Sequence, residues 1–126
     1  MLVVDDEPSV LRFVARVLRE AGYATTIAPD ADVALTIVAA APTPFDLLLT
    51  DLMMPGLRGD ELVRRLRERD PDLKVLYLTG FSDHLFTERS HLWASEAYVD
   101  KPVTVTGLRE AVSLAVFGHI HGPPEG

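Results

Sequence analysis

The chain has 126 residues, 48% of them hydrophobic and 25% charged, which fits one globular domain with a sufficient core. A formal net charge of -7 argues against the basic face of a nucleic-acid binder and suits a bound cation. The absence of cysteine excludes disulfides, thiolate chemistry and cysteine-ligated zinc, and no apolar run reaches the roughly 20 residues of a membrane-spanning helix.

Met1 to Val4 reads as a very short apolar strand closed by Asp5 and Asp6. Three acids by Glu7 are unlike a signal peptide, so the expected location is the cytoplasm. Pro8 suits the first turn of a helix, and Val10, Leu11, Phe13, Val14, Val17, Leu18 and Ala21 follow at helical spacing until Gly22 stops it. Tyr23 to Ala28 is β-like. Asp30 is placed to cap a second helix to about Ala41, with Ala31, Ala34, Leu35 and Val38 facing inward.

A Pro-Thr-Pro connector at 42–44 leads into Phe45 to Asp51, the stretch around which the chain is organised. Its apolar run reads as a strand buried on both faces, ending at a carboxylate and followed by the Pro55-Gly56 turn. After a loop from Leu52 to Gly59, Asp60 is placed to cap a charged helix to about Arg69, which Asp70-Pro71-Asp72 breaks. Lys74 to Thr79 is another buried strand, closed by Gly80. A polar, weakly periodic helix is expected from Ser82 to about Leu92, then a strand from Glu96 to Asp100 ended by Lys101-Pro102. The last helix runs from Gly107 to Phe117, with Leu108, Val112, Ala115 and Val116 as its apolar face, and Gly118 ends it. The expected organisation is one domain over 1–118 and a flexible tail over 119–126.

Alternating strands and helices imply an α/β fold with parallel strands and helices on both faces. In such a doubly wound sheet the ligand crevice lies at the carboxyl ends of the strands. Asp5, Asp6, Asp51, Thr79 and Lys101 would all meet there. Structural caps on a solvated rim are the bland alternative; the coincidence of these groups at four strand ends argues against it. Clustered carboxylates repel unless a cation joins them, and sparse oxygen ligands suit Mg²⁺. Lys101 adds a compact positive charge, and Thr79 a neutral donor. Together they describe a site that receives a phosphoryl group on an Asp carboxylate.

Val3-Val4-Asp5-Asp6-Glu7-Pro8, Leu49-Thr50-Asp51-Leu52-Met53-Met54-Pro55-Gly56, Leu78-Thr79-Gly80 and Tyr98-Val99-Asp100-Lys101-Pro102 resemble the response-regulator receiver domain. The resemblance covers essentially the whole chain. It implies a flavodoxin-like (βα)5 sheet with strand order 2-1-3-4-5, an order that general treatments of this fold illustrate with a chemotaxis member of the family. It also implies that Asp51 accepts phosphate from a histidine, and that Asp6, Asp51 and the Met53 carbonyl bind Mg²⁺ directly while Asp5 acts through a metal-bound water. Thr79 and Lys101 would hold the phosphoryl oxygens, and Tyr98 would be the switch aromatic that reorients with Thr79. In the family geometry Met53 and Phe81 would flank the approach of water and set the lifetime of the phosphoryl group.

The function so implied is a phosphorylatable receiver in two-component signalling, stand-alone or part of a hybrid histidine kinase. Such a receiver is not a general enzyme and catalyses only its own phosphorylation and dephosphorylation. Its partners would be a histidine kinase or histidine phosphotransfer protein and a downstream protein, with no direct contact to nucleic acid or membrane. The alternatives are a non-phosphorylated interaction module of the same fold and an aspartyl-nucleophile phosphatase. The intact Asp5, Asp6, Asp51, Thr79, Lys101 set argues against the first. Met53, where a phosphatase places a second acid, argues against the second. No glycine-rich nucleotide motif follows any strand. His119 and His121 read as part of a solvated tail, Trp93 as a packing residue, and the arginines of 58–69 as a solvated helix face.

Overall fold

In the computed structural model, which describes residues 1–80 and 97–118, five short strands form one sheet. They are β1 (Leu2–Val4), β2 (Thr26–Ala28), β3 (Leu48–Asp51), β4 (Val75–Thr79) and β5 (Ala97–Asp100). The helices among the described residues are α1 (Pro8–Glu20), α2 (Ala31–Ala40), α3 (Gly59–Arg69) and α4 (Val105–Phe117). Strand order is β2-β1-β3-β4-β5, and every pairing is parallel. The expected α/β architecture and order 2-1-3-4-5 are therefore those of the molecule. The expected helix from Ser82 to about Leu92, with Phe81, Trp93 and the tail 119–126, lies outside the described residues.

Alternation along the strands builds two cores. Leu2, Val4, Leu48, Val75 and Tyr77 pack toward α2 and α3, against Ala31, Ala34, Leu62, Val63 and Leu66. Val3, Leu49, Leu76, Leu78 and Val99 point the other way, against Leu11, Val14, Val17 and Leu18 of α1 and Leu108 and Val112 of α4. Successive strand residues face opposite sides, so a sheet covered on both faces needs strands that are apolar throughout. β1, β3 and β4 are buried at every residue and apolar except for Thr50, Asp51 and Thr79 toward their carboxyl ends.

Several boundaries differ from the sequence reading, each for a local reason. β2 is shorter than Tyr23–Ala28, because the Tyr23 amide donates to the Leu18 carbonyl (2.9 Å) at the end of α1 and the ladder starts only where Thr26 N meets Met1 O (2.8 Å). β3 begins at Leu48 rather than Phe45, since its partner β1 begins at Leu2, opposite Leu48. Asp30 caps α2 as expected, accepting from Val33 N at 2.8 Å. Asp60 does not cap α3. The helix already includes Gly59, and the Asp60 carboxylate instead accepts from Arg58 Nε (3.0 Å) and from the Glu61 amide (3.1 Å). Asp60 and Glu61 then favour the positive end of the helix as first-turn acids.

The last helix starts two residues before Gly107. Thr104 is its N-cap, with Oγ1 accepting from Gly107 N at 3.0 Å. A Cβ at position 107 would lie 2.8 Å from that hydroxyl oxygen, so glycine there leaves the cap room. At the other end Gly118 takes the left-handed conformation (φ 77°), and Lys74 Nζ reaches back to the Val116 carbonyl at 3.1 Å. Thr104→Ala removes the cap and should lower stability by about 0.5–2 kcal/mol in urea melts. Unchanged stability would mean that Thr104 does not fix the start of this helix.

Candidate functional site

Parallel strands of similar length end together, and here they end in polar groups. Asp5 follows β1 and is fully buried, Asp6 beside it is exposed, and Asp51 closes the central strand β3 with 3% of its surface exposed. Carboxylate oxygens of these three residues lie within 4.8 Å of one another. The Asp5 side chain folds back on its own loop, accepting from Glu7 N at 2.9 Å just before α1. Asp51 Oδ1 accepts from Met53 N at 3.3 Å. Lys101, following β5, places Nζ 3.1 Å from Asp5 Oδ2, 3.3 Å from Glu7 Oε1 and 3.5 Å from Asp51 Oδ2. One ammonium thus touches two buried acids and a rim acid at once.

The electrostatics are strained by design of the fold. Burial, then the neighbouring Asp5 charge, pushes the Asp51 carboxyl up to about 7; a hydrogen bond with Asp6 adds to the rise, while Lys101 and the Met53 amide oppose it. Burial also raises Asp5, against the pull of the Glu7 amide and Lys101. Burial works against the Lys101 charge, but Asp5 and Asp51 more than offset it, and its pKa goes up. The lysine is firmly cationic, and the carboxylates hold more negative charge than it can neutralise.

Thr79 is fully buried at the end of β4, and its Oγ1 donates to Asp100 Oδ1 at 3.3 Å. The main chain ties the same two strand ends together, with Lys101 N donating to Thr79 O at 2.7 Å. Tyr98 is 46% exposed and Met53 37% exposed. The structure therefore brings together Asp5, Asp6, Asp51 and Lys101 by direct contact, with Thr79 on the next strand and Met53 on the loop after Asp51. Phe81 lies outside the described residues.

Three participants were not singled out from the sequence. Glu7 completes the ion pairs of Lys101; the signal was its place in an Asp-Asp-Glu run. Asp100 holds the Thr79 hydroxyl; the signal was its position beside Lys101. Gly59 lets α3 approach the end of β3: a Cβ there would lie 2.2 Å from the Asp51 carbonyl oxygen, and the Gly59 amide donates to Leu52 O at 2.8 Å. Its steric role depends on a packing contact that no local pattern announces.

The oxygen-only donor set fits a hard divalent cation. Three carboxylates converge, one of them pushed up to about 7 by burial and then by the Asp5 charge, and no nitrogen or sulfur ligand joins them among the described residues. Without a divalent cation, the native state keeps the Asp51 proton up to about pH 7, whereas an ordinary carboxyl releases it near 3.8. Native protein then binds more protons than unfolded chain in that window, so metal-free stability falls as pH rises from about 4 to about 7, by at most about 1.4 kcal/mol per pH unit. Asp51→Asn should lack this slope, so its advantage over wild type should grow with pH and level off above pH 7. Thermal melts in chelator across that range check this; a constant difference would show that Asp51 is not the titrating group.

A family model described as the response regulator receiver domain matches residues 1–113. The chain is 40% identical over 82 residues to the response regulator receiver protein CpdR of Brucella abortus, covering 65% of this chain and 67% of that one. It is 32% identical over 124 residues to the sensor histidine kinase TmoS of Ectopseudomonas mendocina, covering 97% of this chain and 12% of the kinase. Among solved structures it is similar to a response regulator receiver domain protein from Clostridium thermocellum, with a TM-score of 0.81 and 28% identity over 93% of each chain. The chain thus spans two thirds of one curated relative and a small part of the other.

Proposed function

The chain belongs to the response regulator receiver domain family of two-component systems, and from that premise we propose that Asp51 is the residue that accepts the phosphoryl group. The observation that carries this reading is the Lys101 ammonium, 3.5 Å from Asp51 Oδ2 and anchored by buried Asp5. A cation fixed at the end of the central strand stands where the oxygens of a phosphoryl group on Asp51 would need neutralising.

An Asp51 carboxylate oxygen attacks the phosphorus of a phosphohistidine. The new P–O bond forms as the P–N bond breaks, the acyl phosphate remains on Asp51, and the imidazole leaves and takes up a proton. Lys101 and Thr79 hold the phosphoryl oxygens. Asp6, Asp51 and the Met53 carbonyl would hold Mg²⁺, with Asp5 acting through a metal-bound water. Bound Mg²⁺ would supply the positive charge that four neighbouring acids and one lysine lack. The chemistry is confined to the domain's own phosphorylation and dephosphorylation. Tyr98, now exposed, turns inward as Thr79 moves to the phosphoryl group.

The phosphoryl donor is a histidine kinase or a histidine phosphotransfer protein, and the switched surface is read by a downstream protein. The proposed receiver unit is 1–118. No helix among the described residues is long and apolar enough to cross a membrane, and the cytoplasm is the proposed location. Treatment with a small phosphodonor and Mg²⁺ should add one phosphoryl group by intact mass, and Asp51→Asn should abolish the gain. Full labelling of that variant would move the acceptor elsewhere.

Met53 and Phe81 set how long the phosphoryl group lasts. Neither side chain can orient an attacking water by a hydrogen bond, and both can exclude it; a general base at such a place contributes about 10²–10⁴-fold. Decay of the phosphorylated protein should be slow, and Met53→Asn with Phe81→Glu should speed it at equal Mg²⁺. Equal decay in both proteins would assign the lifetime to other groups.

A further inference from the structure

We propose that Asp100 is a latch on the Thr79 hydroxyl: a positioning residue that holds Thr79 in its resting arrangement and so sets how readily the domain switches. The inference rests on the reading of Asp51 as the phosphoryl acceptor and of Thr79 as a donor to the phosphoryl oxygens. It adds a residue and a competition to that reading.

The argument begins with proton counting. A threonine hydroxyl carries one proton and can donate one hydrogen bond at a time. In the resting structure that proton is directed to Asp100 Oδ1, 3.3 Å from Thr79 Oγ1. To donate to a phosphoryl oxygen, Thr79 must withdraw from Asp100. The two acceptors compete for one donor, so any affinity of Asp100 for the hydroxyl is subtracted from the phosphoryl group's hold on it.

Burial sharpens the competition. Thr79 is fully buried, and a buried hydroxyl requires a partner in each state it adopts. Asp100 provides one at rest. A β-branched side chain has few staggered positions, so Thr79 passes between discrete arrangements rather than drifting. Asp100 is exposed, and water can take over its oxygen when the hydroxyl leaves. The latch can therefore open without stranding a buried charge.

The position is set by the sheet. Thr79 and Asp100 are register partners in the parallel β4–β5 pair, so their side chains rise from the same face. The Lys101 amide, bonded to the Thr79 carbonyl at 2.7 Å, fixes that register at the strand ends. Asp100 thus faces the hydroxyl while its chain neighbour Lys101 reaches the acids with its ammonium, 3.1 Å from Asp5. Adjacent residues of one strand end would act with opposite sign: Lys101 for the phosphoryl state, Asp100 for the resting state. Asp100 also adds a negative charge beside the hydroxyl, which opposes a phosphoryl dianion there, but the latch itself requires the Thr79 hydroxyl.

The test measures the apparent Kd of beryllofluoride, a phosphoryl mimic, by titration calorimetry of the full chain with Mg²⁺. Asp100→Asn and Asp100→Ala should bind it about 3- to 30-fold more tightly than wild type, with Asp100→Ala at least as tight as Asp100→Asn. In a Thr79→Val background, or Thr79→Ala should that variant not fold, the two substitutions should change binding by less than about 2-fold, within the usual error of additivity. In a Thr79→Ser background, which restores the hydroxyl, the tightening should return. In the metal-free protein the Thr79 methyl resonance should shift on Asp100→Asn. Wild-type affinity in both Asp100 variants overturns the latch, and so does a silent methyl resonance. Equal tightening with and without the Thr79 hydroxyl also overturns it, assigning the effect to charge alone. Failure of the wild-type protein to bind the mimic in an Asp51-dependent way overturns the underlying reading instead.

Discussion

The structure turns on a carboxylate that its own fold makes uncomfortable. Asp51 closes the most central strand, is almost wholly buried, and faces a second buried acid across the crevice. A lone buried charge costs several kcal/mol, and a like-charged neighbour adds to the cost. The chain answers with Lys101, and the answer is incomplete, since the carboxyl is still pushed up to about 7. A strand end this buried could have carried Asn here and been more stable. The remaining strain is what makes the site receptive to added positive charge. Stability given up at one edge of the sheet is supplied by the two cores that flank it.

Those cores also provide the accuracy. Asp5, Asp51 and Thr79 sit at or just past the ends of buried strands, where register is held by side chains on both faces. A slip of one residue in β3 would exchange Leu48 and Leu49 between the two cores and turn Asp51 away from Asp5. Parallel pairing fixes the neighbours too: Asp51 is opposite Leu78, and Thr79 opposite Asp100. On the third side Gly59 lets α3 start against the Asp51 carbonyl, so the strand end is braced from the loop as well as from the sheet.

Much of this was legible in the chain. Strand–helix alternation, the apolar runs and the strand-end acids are local patterns with strong physical causes, and they led to the fold and to Asp5, Asp6, Asp51, Thr79 and Lys101 together. What escaped was set by contacts between distant residues. Strand lengths depend on where the partner strand begins, which is why β2 and β3 are shorter than their sequences suggest. Thr104 and Asp60 show the limit at helix ends. Both are good capping types, and only the backbone path decides which of them caps. Glu7, Gly59 and Asp100 were plain in the sequence as residues and silent as participants, because each acts through a residue far along the chain or through close packing.

Burial divides the site into two kinds of residue. Asp5, Asp51 and Thr79 are enclosed, and Lys101 is nearly so, with 15% of its side chain accessible. A change at any of these alters packing as well as charge. Glu7, Asp100, Tyr98 and Met53 stand at the rim and are substantially exposed, so their substitution leaves the cores intact. The enclosed group forms the acid–lysine cluster and the buried hydroxyl beside it. Glu7 and Asp100 touch that group by a single ion pair to Lys101 and a single hydrogen bond from Thr79, each in competition with water. Interactions of that strength shift a two-state balance by factors of about ten rather than by orders of magnitude. A fold built this way keeps its enclosed charges fixed while the contacts at its rim can be altered one exposed side chain at a time.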